Sequence, residues 1–515
     1  MKYKKIGLMF ILLILLASNA TMGTSIQQND DLDPLVDIMV TIDINTIRIL
    51  EKTNFGLFPI NKIDLISDPD FFVKIIVNNQ EFVSETWENT KYLYDTPFSV
   101  TVDVPDEQEI VNITIQLWDA NPSLDVLCDI SNNWGTYDEN LDVDLEYSVK
   151  TGSWSGDDFV NLDTGWYYPD ESGYGRLNGC DDGSIYQSDR DCELWFDIYQ
   201  NDYDGDGIPY WTEVNVYKTD PTINNLGEDA DQDGIPIEWE HKWGHFMSEN
   251  WHDGTIEHHW FYDPFIWDDH ENLDPDEDGL NNIEEYKTSQ WGSDPFRKDL
   301  FIELDQMEAG PDGQPASLMP ENSKELLQTA YDKHNIVYHL DDGSWENSGS
   351  DMIPFDEETN MTWGGHNNEL IQIYNDYFLH SDENNSRKGI FHYSVLVYQC
   401  SLANGNAFGN NRYQISYKGL DEKEKSLPWL DRDIVFASAY MHECGHTLGI
   451  MNPGVDVQDG KYPWQINWWR WLPYQSVMNY VYTFSIVDYS DGSRGMNDFD
   501  DWSELDLTYF GNMHW

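Results

Sequence analysis

Three residues between positions 441 and 450 have the types and the spacing needed to hold and use a metal ion. His442 and His446 lie four positions apart, so on a helix both imidazoles project from one face and can bind one zinc ion. Glu443, beside the first histidine, is placed to act as a general base on a water molecule that the metal activates. Gly449 can end the helix in a left-handed turn. The alternative is an ordinary buried helix with two hydrogen-bonded histidines.

The wider pattern resembles the metzincin clan of zinc endopeptidases, whose motif is HExxHxxGxxH followed by a methionine turn. His442 and His446 match its first two ligands, and Met478 lies in a segment, 476–480, that matches the turn. The third ligand of the motif falls on Asn452, whose neutral amide is a weaker zinc donor than imidazole or carboxylate. Asp456 is the nearest carboxylate that could take its place.

The resemblance covers residues 298–515 and implies roles for two further side chains. Glu443 would be the general base, and Tyr480 matches a metal-proximal tyrosine that could hydrogen-bond the developing oxyanion. The implied fold is an α/β domain. In the sequence, hydrophobic patterning predicts strands at 300–304, 336–340 and 390–398 and helices at 323–334 and 369–378 before the metal helix.

The middle of the chain, residues 201–297, carries three copies of the pattern D-x-D-x-D-G-x5-E. Alternate carboxylates can wrap a calcium ion, glycine at the sixth position permits the sharp turn, and the final glutamate closes the shell. The predicted calcium ligands are Asp202, Asp204, Asp206, Glu213, Asp229, Asp231, Asp233, Glu240, Asp274, Asp276, Asp278 and Glu285.

These loops resemble EF-hand loops and, more closely, thrombospondin type 3 repeats, in which short loops follow one another without full helix pairs. Pro209 and Pro236 are expected to disturb a standard helical exit from the first two loops. Calcium is expected to stiffen a spacer. The alternative is a set of solvated acidic turns.

The amino-terminal part, residues 31–200, alternates apolar and polar residues with a period of two at 38–44, 111–117 and 141–149. This pattern predicts an antiparallel β-sandwich. The surrounding segments resemble C2 domains, which bind calcium through acidic loops at one end. The resemblance makes Asp68, Asp70, Asp119 and Asp125 calcium candidates, with simple turn residues as the alternative.

Composition limits where the chain acts and what it binds. A basic start, an apolar run and small residues make 1–20 a predicted secretory signal, and no later apolar run is long enough for a transmembrane anchor. Export to the medium or the cell surface is therefore expected. The net charge of −67 argues against a nucleic-acid partner. Cys180 and Cys192 bracket a short Gly- and Asp-rich loop and are the expected disulfide pair.

Together these features predict a multidomain protein with a sandwich, a calcium-loop spacer and a carboxy-terminal catalytic domain. The predicted function is a secreted, calcium-stabilised zinc endopeptidase that hydrolyses peptide bonds in protein or peptide substrates. The alternative is a non-catalytic, calcium-dependent surface-binding or adhesion protein with a degenerate metal site.

Overall fold

A computed structural model describes most of the chain. The described residues are 31–49, 53–54, 58–59, 69–90, 92–122, 124–131, 141–156, 175–179, 190–249, 256–332, 334, 336–345, 347–361, 369–401, 403–426 and 430–508. The predicted secretory signal, Asp68 and Cys180 lie outside them.

The first 200 residues form two antiparallel sheets. Their strands are Met39–Ile49 (β1), Thr53–Asn54 (β2), Phe58–Pro59 (β3), Phe71–Val77 (β4), Gln80–Val83 (β5), Tyr92–Asp103 (β6), Ile110–Asp119 (β7), Val126–Leu127 (β8), Val143–Ser148 (β9), Trp154–Gly156 (β10), Gly175–Asn178 (β11) and Cys192–Gln200 (β12). One sheet has the order β11-β12-β1-β6, and the other has the order β10-β9-β7-β4-β5 with β8 paired to β7. β2 and β3 pair with each other.

Side-chain alternation explains why these two sheets pack together. In β4 every second residue from Phe71 to Val77 is buried and the residues between are partly exposed. β1 and β7 alternate in the same way, and the buried members of both sheets form one hydrophobic core. Each strand therefore turns one apolar face inward, which confirms the predicted antiparallel sandwich.

Between residues 201 and 297 short elements replace the large sheets. They are Tyr210–Thr212 (α1), which continues as a π-helical turn over Glu213–Tyr217, Ile237–Gly244 (α2), the hairpin strands His245–Glu249 (β13) and Ile256–Trp260 (β14), and Asn282–Thr288 (α3) with a 3-10 turn at Ser289–Trp291. Two small apolar clusters pack here, one around Trp239 and Trp243 and one around Ile208 and Tyr217.

The carboxy-terminal part has a mixed sheet. Its strands are Lys298–Met307 (β15), Ile336–Asp341 (β16), Met352–Ile353 (β17), His392–Val397 (β18), Gly405–Gly409 (β19) and Arg412–Ser416 (β20). The order is β16-β15-β18-β20-β19, and β17 pairs with the end of β15. All these pairings are parallel except that of β19 with β20, so β19 is an antiparallel strand at one edge of the path.

Helices connect and follow the strands of this sheet. They are Glu321–Asp332 (α4), Glu369–Ile373 (α5) with a π-helical turn at Tyr374–Phe378, Tyr417–Ser426 (α6), Arg432–Thr447 (α7) and Ile466–Arg470 (α8), with 3-10 turns at Gln458–Gly460 and Trp502–Glu504. The strands and helices predicted up to residue 398 are present with shifted ends. The pattern did not predict β17, β19, β20 or α6. In the part of the chain that the structure describes, no helix combines the length and apolarity needed to cross a bilayer.

Candidate metal centres

The histidine pair lies on α7, a helix with a well-defined start and end. The Asp431 carboxylate accepts hydrogen bonds from the backbone N–H groups of Asp433 and Ile434, as an N-cap residue does. Apolar side chains then bury the helix against the sheet. Gly449 has a φ of 83°, so the chain leaves the helix through the left-handed turn that its glycine predicts.

Three donor groups converge at the carboxy-terminal half of α7. Nε2 of His442 lies 3.1 Å from one carboxylate oxygen of Asp456, and Nε2 of His446 lies 3.2 Å from the other. Burial alone would disfavour a charged imidazole, but the nearby Asp456 and Glu443 outweigh it and raise the pKa of His442. The two histidines in turn lower the pKa of Asp456 despite its partial burial. The opposite shifts show that the imidazoles and the carboxylate stabilise one another's charged forms.

Asn452 does not belong to this cluster, contrary to the position expected from the motif. Its Nδ2 donates a hydrogen bond of 2.7 Å to Oδ1 of the buried Asp501, which also accepts from the Tyr474 hydroxyl. At Asn452, the motif position, the chain lies away from the histidines, and it reaches them four residues later at Asp456. At that point Asp456 has a φ of 56°, and its N–H bonds to the Met478 carbonyl.

The turn around Met478 supports the histidines from below. Nδ1 of His442 donates to the Val477 carbonyl at 2.8 Å, and because a carbonyl can only accept, Nε2 of the neutral ring keeps its lone pair for a metal. Met478 lies under the helix between the histidines: a Cβ at Gly445 would meet its Sδ at 2.6 Å. Asn479 closes the turn by donating to the carbonyls of Trp471 and Tyr474.

Glu443 is buried beside the cluster and faces the edge strand β19. Burial and the Asp456 charge raise the pKa of its carboxyl, whereas His442 and His446 lower it, and the net shift is upward. The backbone of Ala407 lies near the carboxylate and also favours its charged form. A Cβ at Gly405 would lie 2.4 Å from Oε1 of Glu443, so a larger residue at this position would push the carboxylate aside. The HExxH pattern gives no sign of this contribution from β19.

Tyr480 lies against the donor cluster of His442, His446 and Asp456, at the place that the resemblance implies. Its ring stacks on His442 with centroids 5.6 Å apart, and its hydroxyl lies within hydrogen-bonding reach of Asp456 and of Gln458. Burial and the Asp456 charge raise the pKa of the phenol, so the hydroxyl keeps its proton. The Lys461 ammonium stands 4.2 Å from the ring centroid on this side of the site.

Cys444 lies on the opposite face of α7 from the donor cluster. It is buried among Tyr331, Tyr413 and Thr447, and burial raises the pKa of its thiol to about 11. A thiol this hard to ionise in a packed core is a structural residue, as its position two residues from each histidine predicts.

The three acidic loops share one backbone framework. In each, the first aspartate accepts a 3.1 Å hydrogen bond from the N–H of the loop glycine, and that glycine has a positive φ. The third aspartate accepts from the next apolar residue and also from a residue further along the chain. These second donors are Asn225, Asp268 and Asp299. Ile208, Ile235 and Leu280 are buried at the seventh position.

The carboxylate oxygens that remain are the ones a cation would need. Buried oxygens of the second aspartate and of the closing glutamate lack a hydrogen-bond donor among the described residues, apart from His270, which stands 3.5 Å from Oε1 of Glu240. They belong to Asp204, Asp231, Asp276, Glu213, Glu240 and Glu285. Burial first, and the neighbouring aspartates second, raise the pKa of Glu213 to about 8. In Glu240, where burial is again the largest cause, the pKa is raised to about 7. Buried carboxylates without donors fit a bound calcium ion.

Helices leave all three loops, which corrects the expected effect of the prolines. Pro209 directly precedes α1, and Pro236 directly precedes α2. A proline suits the first turn of a helix because the N–H that it lacks has no partner there. The third exit helix, α3, starts instead at a capping box between Asn281 and Glu284.

His270 is a residue of the second loop that the repeat pattern missed. Its Nε2 lies 3.2 Å from Asp233 and 3.5 Å from Glu240, and its Nδ1 contacts Asn282 at 2.8 Å, all inside the fold. His270 lies 30 residues after Glu240, the last ligand of that loop, and outside any repeat offset, so spacing offers no signal for it. It links the ligands of the second loop to the exit helix of the third.

At one end of the sandwich, three of the four candidate aspartates make hydrogen bonds that also suit a turn. Asp119 is buried and accepts from the Asp70 N–H at 2.9 Å. Asp70 accepts from the Asn89 N–H, and Asp125 accepts from the Asn121 N–H.

Comparison with solved structures finds distant C2 domains. A structure described as a C2 domain has 10% sequence identity, covers 31% of this chain and 97% of its own, and gives a TM-score of 0.17. A single C2 domain of plant extended synaptotagmin 1 has 14% identity, with coverages of 32% and 95% and a TM-score of 0.17. The two calcium-bound C2 domains of extended synaptotagmin 2 have 12% identity, coverages of 33% and 47%, and a TM-score of 0.18.

Each of these matches covers about a third of this chain. Neither the family models nor the curated proteins give a match.

Proposed function

We propose that the chain is an exported, calcium-stabilised zinc endopeptidase of metzincin type. The observation that carries the proposal is the convergence of His442, His446 and Asp456 beside the buried carboxylate of Glu443. Two imidazole nitrogens and one carboxylate are a donor set that catalytic zinc sites use. The fixed tautomer of His442 fits the same interpretation, because it leaves Nε2 free to bind a metal.

The sheet beside the site supports the proposal. β19 is an antiparallel edge strand that contributes Gly405 and Ala407 to the surroundings of Glu443. An extended peptide can pair with such an edge through main-chain hydrogen bonds. A substrate held there would pass directly over Glu443 and the donor cluster.

The proposed mechanism assigns one role to each side chain. When bound, zinc would polarise the scissile carbonyl and make a water molecule acidic enough to lose a proton. Glu443 accepts that proton, for which its raised pKa suits it, and passes it to the leaving amine. The protonated Tyr480 hydroxyl donates to the oxyanion that develops on the carbonyl oxygen. Val477 and Met478 keep the first histidine and α7 in place.

Calcium would have a structural role in residues 201–297. The small apolar clusters of this segment offer little burial, while its loops hold closely spaced carboxylates that repel one another. A cation in each loop would remove the repulsion and satisfy the oxygens that lack donors.

The test combines metal analysis with hydrolysis. Purified mature protein is expected to bind one zinc ion that depends on His442 and to cleave an unfolded protein such as casein. Glu443→Ala is expected to keep the zinc and lose the cleavage. A protein that binds no zinc and cleaves no substrate would contradict the proposal and favour a calcium-dependent binding protein instead.

A further inference from the structure

Cys128 and Cys192 lie where the two sheets of the sandwich meet. Cys128 follows β8, which pairs with β7 in one sheet, and Cys192 begins β12, which pairs with β1 in the other. Both side chains are fully buried in the common core. Although they are distant in sequence, they occupy the same end of the sandwich.

The backbone brings the two cysteines together. The N–H of Cys192 donates to the Asp129 carbonyl at 2.8 Å, and the N–H of Asp129 donates to the Arg190 carbonyl at 3.1 Å. Asp129 and Asp191 form a parallel bridge between the same two segments. Both cysteines are free thiols in this structure, and within this pairing Cys128 lies near enough to Cys192 to oppose the ionisation of the Cys192 thiol.

We propose that Cys128 and Cys192 form a disulfide that joins the two sheets in the exported protein. The inference uses the export part of the proposed function and none of its zinc chemistry. An oxidised thiol–disulfide oxidoreductase, or glutathione disulfide, accepts the electrons. The two thiols lose two protons and two electrons as the sulfur–sulfur bond forms, and the oxidant's disulfide is reduced to two thiols.

The surroundings favour a neutral cross-link over other fates of the two thiols. Asp129 and Asp191 flank the cysteines and are themselves buried, so a thiolate here would face two carboxylates. A metal–thiolate site needs both sulfurs ionised, whereas a disulfide carries no charge. The link would close a loop of about 65 residues, long enough to restrict the unfolded chain strongly.

This pairing differs from the one that sequence spacing predicts. Cys180 and Cys192 bracket a short loop, but Cys180 lies outside the described residues, and the backbone pairing brings the segment of Cys128 beside that of Cys192. The decisive experiment is a peptide map of the exported full chain, alkylated in denaturant without reductant. It should show the Cys128 peptide joined to the Cys192 peptide and three of the five cysteines alkylated.

The same sample measured after reduction should contain five alkylated cysteines. Alkylation of all five before reduction, or a peptide of Cys180 joined to that of Cys192, would overturn the proposal. A second bound zinc ion, in a sample that shows no cross-linked peptide, would also overturn the proposal if Cys128→Ala loses that ion.

Thermal unfolding supplies an independent readout. Reductant should lower the transition of the sandwich by about 5–10 °C in the parent, from the usual contribution of a disulfide. Cys128→Ala should be insensitive to reductant, and the control Cys400→Ala, at another buried cysteine, should keep the parental response. An equal response of the parent and Cys128→Ala to reductant would contradict the cross-link.

Discussion

Replacing Asp456 with alanine is the most direct test of the zinc cluster. The substitution removes the only carboxylate that contacts both His442 and His446 in the described structure, at 3.1 and 3.2 Å. Loss of a residue that merely orients a ligand costs about 10- to 100-fold in metal affinity. Loss of a ligand should cost more, so we expect zinc affinity to fall at least about 100-fold, or about 2.7 kcal/mol.

The matched control is Asn452→Ala. This variant loses a hydrogen bond to the buried Asp501, which should cost about 1–3 kcal/mol of folding stability. Its zinc affinity should stay at the parental value because the amide does not reach the histidines. Folded Asn452→Ala and Asp456→Ala are compared by competitive zinc titration and by peptide hydrolysis.

The two variants separate the structure from the motif. The motif alone predicts that Asn452, three residues after Gly449, is the zinc ligand and that Asp456 is not. Zinc lost on Asn452→Ala and kept on Asp456→Ala would refute the geometry of the 449–456 turn described above.

Four further outcomes follow from the same contacts. Glu443→Ala should reduce kcat/KM by about 100- to 10,000-fold with zinc stoichiometry unchanged, and a parental rate of caseinolysis would exclude it as the base. Gly405→Ala should also lower the rate of hydrolysis, because its new Cβ would displace the Glu443 carboxylate. Unchanged kinetics would show that β19 shifts instead and that the carboxylate keeps its position. Removing calcium should make 202–285 sensitive to limited proteolysis, and equal resistance with and without chelator would return the loops to solvated turns. In chelator, stability should fall as pH rises from about 4.5 towards 8. The reason is that Glu213 and Glu240 have folded pKa values above their unfolded ones, so their stabilising protonated forms are lost over this window; a flat profile of unfolding temperature against pH would contradict this.

The elements that sequence predicts well are those with a strong local period. Alternation along β4 and β7 fixes which face is buried, and the cap at Asp431 and the turn at Gly449 mark the two ends of α7. The repeat offsets in the acidic loops are equally local, because each glycine must sit where the chain turns around its first aspartate.

The contacts that sequence misses are those made across the fold. The third member of the histidine cluster depends on how the chain after Gly449 turns, and the left-handed backbone at Asp456 has no sequence signature, since it is not a glycine. The surroundings of Glu443 depend on β19. All five residues of β19 are partly exposed, so its sequence lacks the apolar alternation by which a strand is predicted. His270 reaches the second loop from a segment outside the repeat.

The acidity of the chain has a consequence for how its parts depend on one another. Only twelve of the 95 acidic residues lie at the ligand positions of the loops. Most of the negative charge therefore solvates the surface, and the binding of cations concerns a small part of it. The loop carboxylates differ from the rest because the fold buries several of them with no donor. Burying such a group uncharged requires a proton, and burying it charged requires a cation. The N–H of Asp299, at the start of β15, donates a hydrogen bond to the carboxylate of Asp278. A change at the third loop therefore acts directly on the sheet of the carboxy-terminal domain. We therefore expect calcium to stabilise the start of the sheet that carries the proposed catalytic site as well as the spacer before it.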